Sequence, residues 1–253
     1  LAVFYALVFM GSCGTIWFHR YATHRAYTFS NRFARFVTRN LPIKVIVDET
    51  YVISHHVHHA KSDAEGDPYR AEYGFLYCYL ADVNTQALAR DLSESEYATA
   101  CRMLDHTGVR MNNYAQYQRW GSIAHPVWTN LHYLLNWAGW YGALFLLGGH
   151  ALAVAIFAGA AAWALGIRTF NFAGHGGGEL KHRAGWDFND RDLSINQYLP
   201  GLVAGEWHNN HHLYPNSARA GFLPTQLDIP WLYVRLLHIF GGVDTFRDSK
   251  AQF

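Results

Sequence analysis

The sequence is poor in the residues that build disulfide frameworks and cysteine-ligated metal sites. It has three cysteines, Cys13, Cys78 and Cys101, and no two of them form a CxxC pair. Neither a disulfide scaffold nor a zinc ribbon is therefore expected. The sequence also lacks a Gly-x-Gly-x-x-Gly nucleotide fingerprint and a CxxCH haem-attachment motif, so neither a dinucleotide site of that type nor an attached c-type haem is expected.

Charge is scarce as well. Charged residues make up 15% of the 253 residues, and the formal net charge is +1, which gives no reason to expect a nucleic-acid partner. Hydrophobic residues account for 51% of the chain, yet its mean hydropathy is close to zero. This combination is typical of a few very apolar segments joined to a polar, water-facing part.

Three apolar segments stand out, at residues 1–18, 128–147 and 151–170. A membrane span needs roughly 20 apolar residues, so the first segment is interpreted as the end of a transmembrane helix that begins upstream. The other two are joined by Gly148-Gly149-His150 and predict a transmembrane hairpin over residues 128–170. Asn130, His132 and Asn136 lie within this hairpin, where such residues more often bond neighbouring helices than act in chemistry.

Basic residues follow the first and the third apolar segments, whereas the turn between the second and third contains no Lys or Arg. By the positive-inside bias, both basic flanks should face the cytoplasm. We therefore expect residues 19–127 and 171–253 to form cytoplasmic regions of one domain that covers residues 1–253. The two flanks comprise Arg20, Arg25, Arg32, Arg35, Arg39 and Lys44, and Arg168, Lys181, Arg183 and Arg191.

Within the first cytoplasmic region, Ser93 and Glu96 fit a capping box that should start a helix running toward His106. The aromatic-rich residues 73–80 suit either the membrane interface or an ordinary core.

Histidine is abundant, with 16 residues, and two groups repeat the spacing His-x-x-His-His: residues 55–59 and 208–212. Positions i, i+3 and i+4 share one face of an α-helix, so each group could direct three imidazoles to one point. His19 and His24 are five residues apart and would lie about 140° from one another on an ideal helix. They converge only if the helix bends or the metal lies beyond its end, and His175 is unremarkable in isolation.

Imidazole suits zinc, copper, iron and nickel alike, so these ligands do not choose the metal. The two groups contain no Asp or Glu, which separates them from the Glu-x-x-His signature of carboxylate di-iron bundles. Both adjoin the basic flanks and can therefore meet on one side of the membrane. A dinuclear, all-histidine site beside apolar helices indicates oxygen chemistry on a hydrophobic substrate.

The sequence resembles the membrane fatty acid desaturase family, the multi-histidine, non-haem di-iron acyl desaturases. The motifs that carry the resemblance are HRYATHR from residue 19, HHVHH from residue 55, the Asn-x-x-x-His of residues 171–175, and GEWHNNHHLYP followed by SARAGF at residues 217–222. The tail after the last motif is most similar to delta-9-like enzymes, which act near the middle of the acyl chain. The resemblance implies an all-α integral membrane protein, in which transmembrane helices are topped by a cytoplasmic helical cap that holds a dimetal site.

In that family nine histidines ligate two iron ions, and an asparagine holds a water on one of them. The matching residues here would be Asn171 for the water and, for the metals, His19, His24, His55, His58, His59, His175, His208, His211 and His212. His56 falls on a variable position and is left out. Glu206, Asp63 and Asp67 could orient ligands from behind or could equally be surface charges.

The sequence departs from the family pattern in three places. The first membrane pair is incomplete, because the chain begins at what should be the second span. The approach to His208 through Gly205 and Glu206 is one residue shorter than usual, and Gly174-His175-Gly-Gly-Gly178 is richer in glycine than the common form. The last two departures bear on the shape of the substrate site more than on the metals.

The resemblance implies that the protein uses O2 and two external electrons at the di-iron centre to introduce a cis double bond into a saturated acyl chain. The implied donor is a ferredoxin or a cytochrome b5-like protein, and the acyl carrier is left open among CoA, a carrier protein and a membrane lipid. A fatty acyl or alkyl hydroxylase of the same superfamily is the first alternative. A non-catalytic membrane metal-binding protein is the second, against which nine ligands exceed the four of a structural site.

Overall fold

The computed structural model describes residues 1–81, 84, 91–174 and 207–253, apart from the side chains at positions 171, 173, 174 and 209. These residues are mostly helical. The helices are α1 (Ala2–Thr23), α2 (Arg32–Asn40), α3 (Asp48–Lys61), α4 (Phe75–Tyr79), α5 (Glu94–Leu104), α6 (Tyr114–Trp120), α7 (Pro126–Gly174), α8 (His208–Leu213) and α9 (Ile229–Ile239). Single 3-10 turns cover Ala71–Tyr73 and Asp105–Thr107, and strand β1 (Tyr27–Phe29) pairs antiparallel with β2 (Val243–Phe246).

Among the described residues, two helices are long and apolar enough to cross a membrane, namely α1 and Pro126–Phe170 of α7. The predicted break in the second of these is confirmed, because Gly148 and Gly149 have non-helical backbone angles. Gly149 has φ 70° and ψ −171°, a conformation that is essentially restricted to glycine. The chain then folds back on itself, since the Tyr141 and Phe157 rings lie 5.7 Å apart.

Helix α1 packs against the second half of α7 through small and apolar residues. Ala6 and Met10 of α1 share a buried cluster with Ile156, Ala160 and Trp163 of α7. Two glycines at this contact have no room for a side chain, since an added Cβ would lie 2.8 Å from the Trp163 ring at Gly14 and 2.6 Å from a backbone oxygen at Gly159. Small residues of this kind let membrane helices approach closely.

The remaining helices pack around two further apolar clusters. In the first, Trp17 and Phe18 at the end of α1 pack on Trp231 and Val234 of α9. The second joins Val52 of α3 to α5, α6 and the segment that precedes α7. The predicted capping box is confirmed: Ser93 and Glu96 exchange hydrogen bonds at the start of α5, which ends at Leu104, just before the 3-10 turn that contains His106.

The segment between α2 and α3 has no regular structure and lies along the first half of α7. Asn136 accepts a hydrogen bond from the Lys44 N–H at 3.0 Å and donates one to the Pro42 carbonyl at 3.3 Å. The Trp137 and Trp140 indoles donate to the carbonyls of Lys44 and Asn40. Irregular backbone beside an apolar helix needs such partners, because apolar side chains offer none. Asn136 therefore bonds one part of the protein to another, as expected from the sequence.

This arrangement predicts that Asn136→Leu lowers the free energy of unfolding by about 2–4 kcal/mol, because it leaves a buried N–H and a buried carbonyl unpaired. The matched control is Asn130→Leu, which changes an exposed asparagine of the same helix and should have little effect. Thermal unfolding in detergent micelles measures the difference. Equal midpoints for the two variants would show that the Asn136 contacts contribute no stability.

Candidate metal centre

The end of α1 is a π-helix over Thr15–Thr23, and this brings His19 and His24 together. A π-helix forms hydrogen bonds between residues i and i+5, and the His24 N–H donates to the His19 carbonyl at 3.1 Å. The two rings lie 4.8 Å apart, edge to face. The separation of about 140° expected for an ideal α-helix is therefore removed by a local change of helix type.

Helix α3 is a regular α-helix and presents His55 and His59 on one face, with their Nε2 atoms 3.2 Å apart. His58 is on the adjacent face and is fully buried. His56 is not part of this face, and its pKa is lowered by burial and by the nearby Arg25 and His106. The i, i+4 spacing thus brings His55 and His59 together, whereas His58 lies apart from this pair and joins other rings.

Helix α8 follows the buried Trp207 and brings the third histidine group onto the other two. The Nε2 atom of His211 lies 3.0 Å from that of His19 and 2.9 Å from that of His59. One imidazole nitrogen carries either one hydrogen or one lone pair, so it cannot form two good hydrogen bonds in different directions. Pairwise hydrogen bonding does not account for this convergence.

Five histidines, from α3, α8 and the end of α1, can each place one ring nitrogen within 4.8 Å of all the others: His19, His24, His55, His59 and His211. At a metal–nitrogen distance of about 2.1 Å, neighbouring ligands lie about 3 Å apart and opposite ligands about 4.2 Å apart. The Nε2–Nε2 distances of 2.9–3.2 Å match neighbouring ligands of one cation, and the largest separation in the cluster, 4.8 Å, is slightly longer than that of opposite ligands. In addition, Nε2 of His24 is buried and has no hydrogen-bond partner among the described residues, which is consistent with a lone pair reserved for a metal.

The same histidines are suited to bind metal as neutral ligands. Burial, and then the neighbouring imidazoles, hold the pKa values of His24, His55 and His211 well below the ordinary value of a histidine. A neutral imidazole keeps the lone pair that a metal needs.

A second group of rings lies directly beside the first. His212 is 5.2 Å from His58, 4.6 Å from His208 and 4.7 Å from His59, measured between ring centroids. Eight of the nine expected ligands therefore meet in one region of the fold. His175, Glu206 and the side chain of Asn171 lie outside the described residues.

Asp67 stands behind this second group. It is fully buried, and its Oδ1 lies 2.9 Å from Nδ1 of His58 while also accepting the Tyr69 N–H. The Asp63 N–H donates to the other carboxylate oxygen. A carboxylate on Nδ1 keeps the proton there and leaves Nε2 of His58 with a lone pair. Asp67 therefore contacts an expected ligand, His58, directly, whereas the Asp63 N–H contacts the Asp67 carboxylate.

A buried ion pair fixes the segment around residues 217–228 to the end of α1. Arg20 and Asp228, both almost fully buried, are 2.8 Å apart. Asp228 also accepts the N–H groups of Ala220, Gly221 and Trp231, so it closes the loop and caps α9. The Asn210 amide in turn bonds the Ala220 carbonyl at 2.7 Å, which ties α8 to the same loop.

A second buried carboxylate, Asp48, ties the start of α3 to α1. It accepts hydrogen bonds from Trp17 at 2.8 Å, from Arg39 at 2.9 Å and from Lys44 at 3.3 Å. Burial alone would raise the pKa of Asp48, but Lys44, Arg39 and the Trp17 indole hold it below its usual value. Burial lowers the pKa of the fully buried Lys44 to about 8.

Sequence reasoning missed these two carboxylates. It counted Arg20 and Lys44 among the cations of a cytoplasmic flank, but both are buried and paired inside the protein. Arg25, Arg32, Arg35 and Arg39 remain at least partly exposed on that flank. One signal was available for Asp48, which lies seven residues before His55 and therefore on the same face of α3.

Comparison with known proteins identifies the family. The model of the family described as fatty acid desaturase matches residues 1–244. The chain is 27% identical over 234 residues to an icosanoyl-CoA 5-desaturase of Limnanthes douglasii, and the match covers 90% of the chain and 58% of that protein. It is 28% identical over 262 residues to a chloroplastic palmitoyl-monogalactosyldiacylglycerol delta-7 desaturase of Arabidopsis thaliana, covering 94% and 59%.

A bacterial relative is also similar. The chain is 25% identical over 244 residues to an sn-1 stearoyl-lipid 9-desaturase of Anabaena variabilis, covering 90% of the chain and 75% of that protein. The chain spans less than two thirds of the length of the two plant relatives described above.

The Asp48 contacts predict that Asp48→Asn destabilises the protein by about 3–5 kcal/mol, because Lys44 is left as a buried cation without its counter-ion. Adding Lys44→Met should recover part of this loss, since the double variant buries no unpaired charge. Thermal unfolding of the wild type, both single variants and the double variant measures the coupling. If the double variant unfolds at the same temperature as Asp48→Asn, the Lys44 charge is not the cause of the loss.

Proposed function

The chain belongs to the fatty acid desaturase family, and from that premise we propose that it introduces a cis double bond into a saturated acyl chain, with O2 and two electrons from a separate donor. The observation that carries the proposal is the convergence of five imidazole nitrogens from three separate histidine groups. A structural metal site usually uses four ligands in all, so this cluster with a further group of histidines beside it favours a dinuclear, catalytic centre.

The group held by these residues is proposed to be a pair of iron ions. His19, His24, His55, His59 and His211 surround one point, and His58, His208 and His212 would contribute to the neighbouring ion together with His175. Asn171 would hold a water. When bound, the two ions would supply the oxidising power that removes hydrogen from an unactivated methylene.

The protein's own residues have three tasks in this proposal. The histidines hold the metal ions, and the carboxylates behind them hold the histidines. The apolar residues around the centre exclude water, as Phe170 does where its ring packs 5.0 Å from His208. Fixed placement of one C–C bond beside the metals then decides where the double bond forms.

Membrane placement is part of the same proposal. Helix α1 ends at the histidine cluster, and the Phe170–His208 contact shows that the end of α7 lies beside α8. The end of α1 and the end of α7 therefore both lie beside the histidine cluster, on one side. The partly exposed arginines 25, 32, 35 and 39 on that side favour the cytoplasmic face by the positive-inside bias.

The substrate carrier and the electron donor also belong to the proposal. Relatives named as acyl-CoA and acyl-lipid desaturases support an acyl substrate bound to CoA or to a lipid. Because the sequence has no haem-attachment, nucleotide or iron–sulfur motif of its own, a ferredoxin or a cytochrome b5-like protein is the proposed donor.

Asp67→Asn is expected to weaken metal binding about 10–100-fold, because the amide no longer fixes the proton on Nδ1 of His58. Chelator competition on the purified protein, with iron measured by mass spectrometry, gives the affinity. The control is Asp105→Asn, which removes a carboxylate from an exposed pair with Arg25 and should leave the affinity unchanged. Similar metal affinities for the two variants would show that Asp67 does not support metal binding through His58.

The reaction itself is tested by fatty acid analysis of a host that expresses the protein. We expect a new monounsaturated acid, with its double bond located by derivatisation, that is absent when His211→Ala is expressed. The control His150→Ala changes a histidine in the α7 turn, outside the cluster, and should retain the product.

Three other outcomes would count against the proposal. A hydroxy acid in place of the unsaturated acid would establish the hydroxylase alternative. Formation of the same product by His211→Ala would show that the histidine cluster is not required for the reaction. A wild-type protein that binds no iron would refute the di-iron centre.

A further inference from the structure

Helix α9 exposes an apolar stripe that no part of the described chain covers. Leu232, Leu236, Ile239 and Phe240 are 56%, 52%, 69% and 78% exposed, respectively. Their spacing of i, i+4, i+7 and i+8 places them on one side of the helix. Because the other side packs on the end of α1 through Trp231, α9 is apolar on both its inner and its outer side.

Helix α2 has a similar exposed side. Phe33 and Phe36 are 77% and 62% exposed, whereas Ala34 and Thr38 are buried. An exposed apolar side of this kind is unfavourable in water, because its large side chains gain nothing from burial there.

The two helices are neighbours. The hydroxyl oxygens of Thr38 and Tyr233 lie 3.0 Å apart, which joins α2 to α9. The Ser30 N–H donates to the Gly242 carbonyl at 3.1 Å. This bond joins the residues just before α2 to those just after α9. The exposed residues of the two helices therefore belong to one surface, the α2–α9 face, formed by Phe33, Phe36, Leu232, Leu236, Ile239 and Phe240.

This face continues onto a helix proposed to span the membrane. Phe36 and Asn40 line a cavity of about 420 Å³ together with His132, Leu135 and Trp140 of α7. On the same half of α7, Leu134 and Leu135 are 57% and 64% exposed, as expected for side chains that meet lipid. Lipid that surrounds α7 can therefore also cover the α2–α9 face.

The charge on this face has one sign. Helices α2 and α9 contain four arginines and no acidic residue. Arg35 donates to the His106 carbonyl and Arg39 to the buried Asp48, so Arg32 and Arg235 are the exposed cations of this face. Arg235 is exposed, and its guanidinium lies 5.5 Å from the centre of the Trp231 ring. Basic residues beside an exposed apolar stripe are typical of helices that lie in the plane of an anionic membrane surface.

We propose that the α2–α9 face lies in the headgroup region of a bilayer leaflet and that its exposed Arg32 and Arg235 bind anionic phospholipids. The inference rests on the proposed membrane placement of α1 and α7 and is independent of the metal centre. In this arrangement α2 and α9 attach the histidine-bearing part of the protein to the membrane, next to the segment that leads from α2 into α3.

The test uses the whole protein in nanodiscs of phosphatidylcholine and phosphatidylglycerol. Single cysteines replace Phe33 and Phe240 in a Cys101→Ser background, in which Cys13 and Cys78 are buried, and carry a fluorophore. Leu134→Cys on α7 is the membrane control, and Ser95→Cys on the exposed start of α5 is the water control. Nitroxide-labelled lipids quench any fluorophore that lies in the bilayer.

We expect the labels at positions 33 and 240 to be quenched as strongly as the label at 134, and the label at 95 to be unaffected. Quenching at 134 without quenching at 33 and 240 would overturn this inference alone. Absence of quenching at 134 would overturn the membrane placement and this inference together. Cross-linking between the 240 positions of two copies, without quenching, would assign the face to a dimer and overturn the inference.

The anionic preference is tested with the nitroxide on one headgroup at a time. Near a single arginine we expect about fivefold enrichment of phosphatidylglycerol over phosphatidylcholine, as follows from about 1 kcal/mol per cation at a membrane surface. Arg235→Gln should reduce this preference at position 240, and the control Arg119→Gln on α6 should not. Equal quenching by both headgroups would overturn the anionic part of the proposal.

Discussion

Several imidazole rings have to direct their nitrogen atoms to one place inside a protein, and the rest of the described fold depends on that requirement. The Nε2 atoms of His19, His211, His59 and His55 follow one another at 3.0, 2.9 and 3.2 Å. Rings at these distances cannot all be protonated, because like charges would repel strongly in a buried site. Burial keeps them neutral, and a shared cation would offset the desolvation of their lone pairs.

The convergence is maintained by carboxylates that do not themselves enter the cluster. Asp48 joins α3 to α1 through Trp17, two residues before His19. Asp228 joins the loop after α8 to α1 through Arg20, one residue after His19, and Asp67 holds His58. Each histidine group thus has a buried anion beside or behind it, and each anion is paired with a cation or bonded to several N–H groups. Buried charges that are paired and hydrogen-bonded in this way are tolerated, and they specify one arrangement of the helices.

The parts of this fold that depend on local periodicity could be predicted from the sequence. The His55-x-x-His58-His59 spacing, the break at Gly148 and Gly149, and the capping box at Ser93 all follow from rules that act over a few residues. The π-helix at Thr15–Thr23 could not be predicted, because a widened turn is stabilised by what packs around it rather than by a residue pattern. The Arg20–Asp228 pair spans 208 residues, so no local rule connects its members, and Arg20 was counted instead as a surface charge.

The irregular segment between α2 and α3 shows why the histidine region and the apolar helices form one structure. Its backbone is bonded by Asn136, Trp137 and Trp140 of α7, and its Lys44 pairs with the same Asp48 that holds Trp17. These contacts connect the first half of α7 to the start of α3, two turns before His55. In the proposed function, an acyl chain that enters between the apolar helices would meet histidines whose positions depend on the packing of those same helices. The fit of that chain would then be coupled to the geometry of the histidines through a few buried polar contacts.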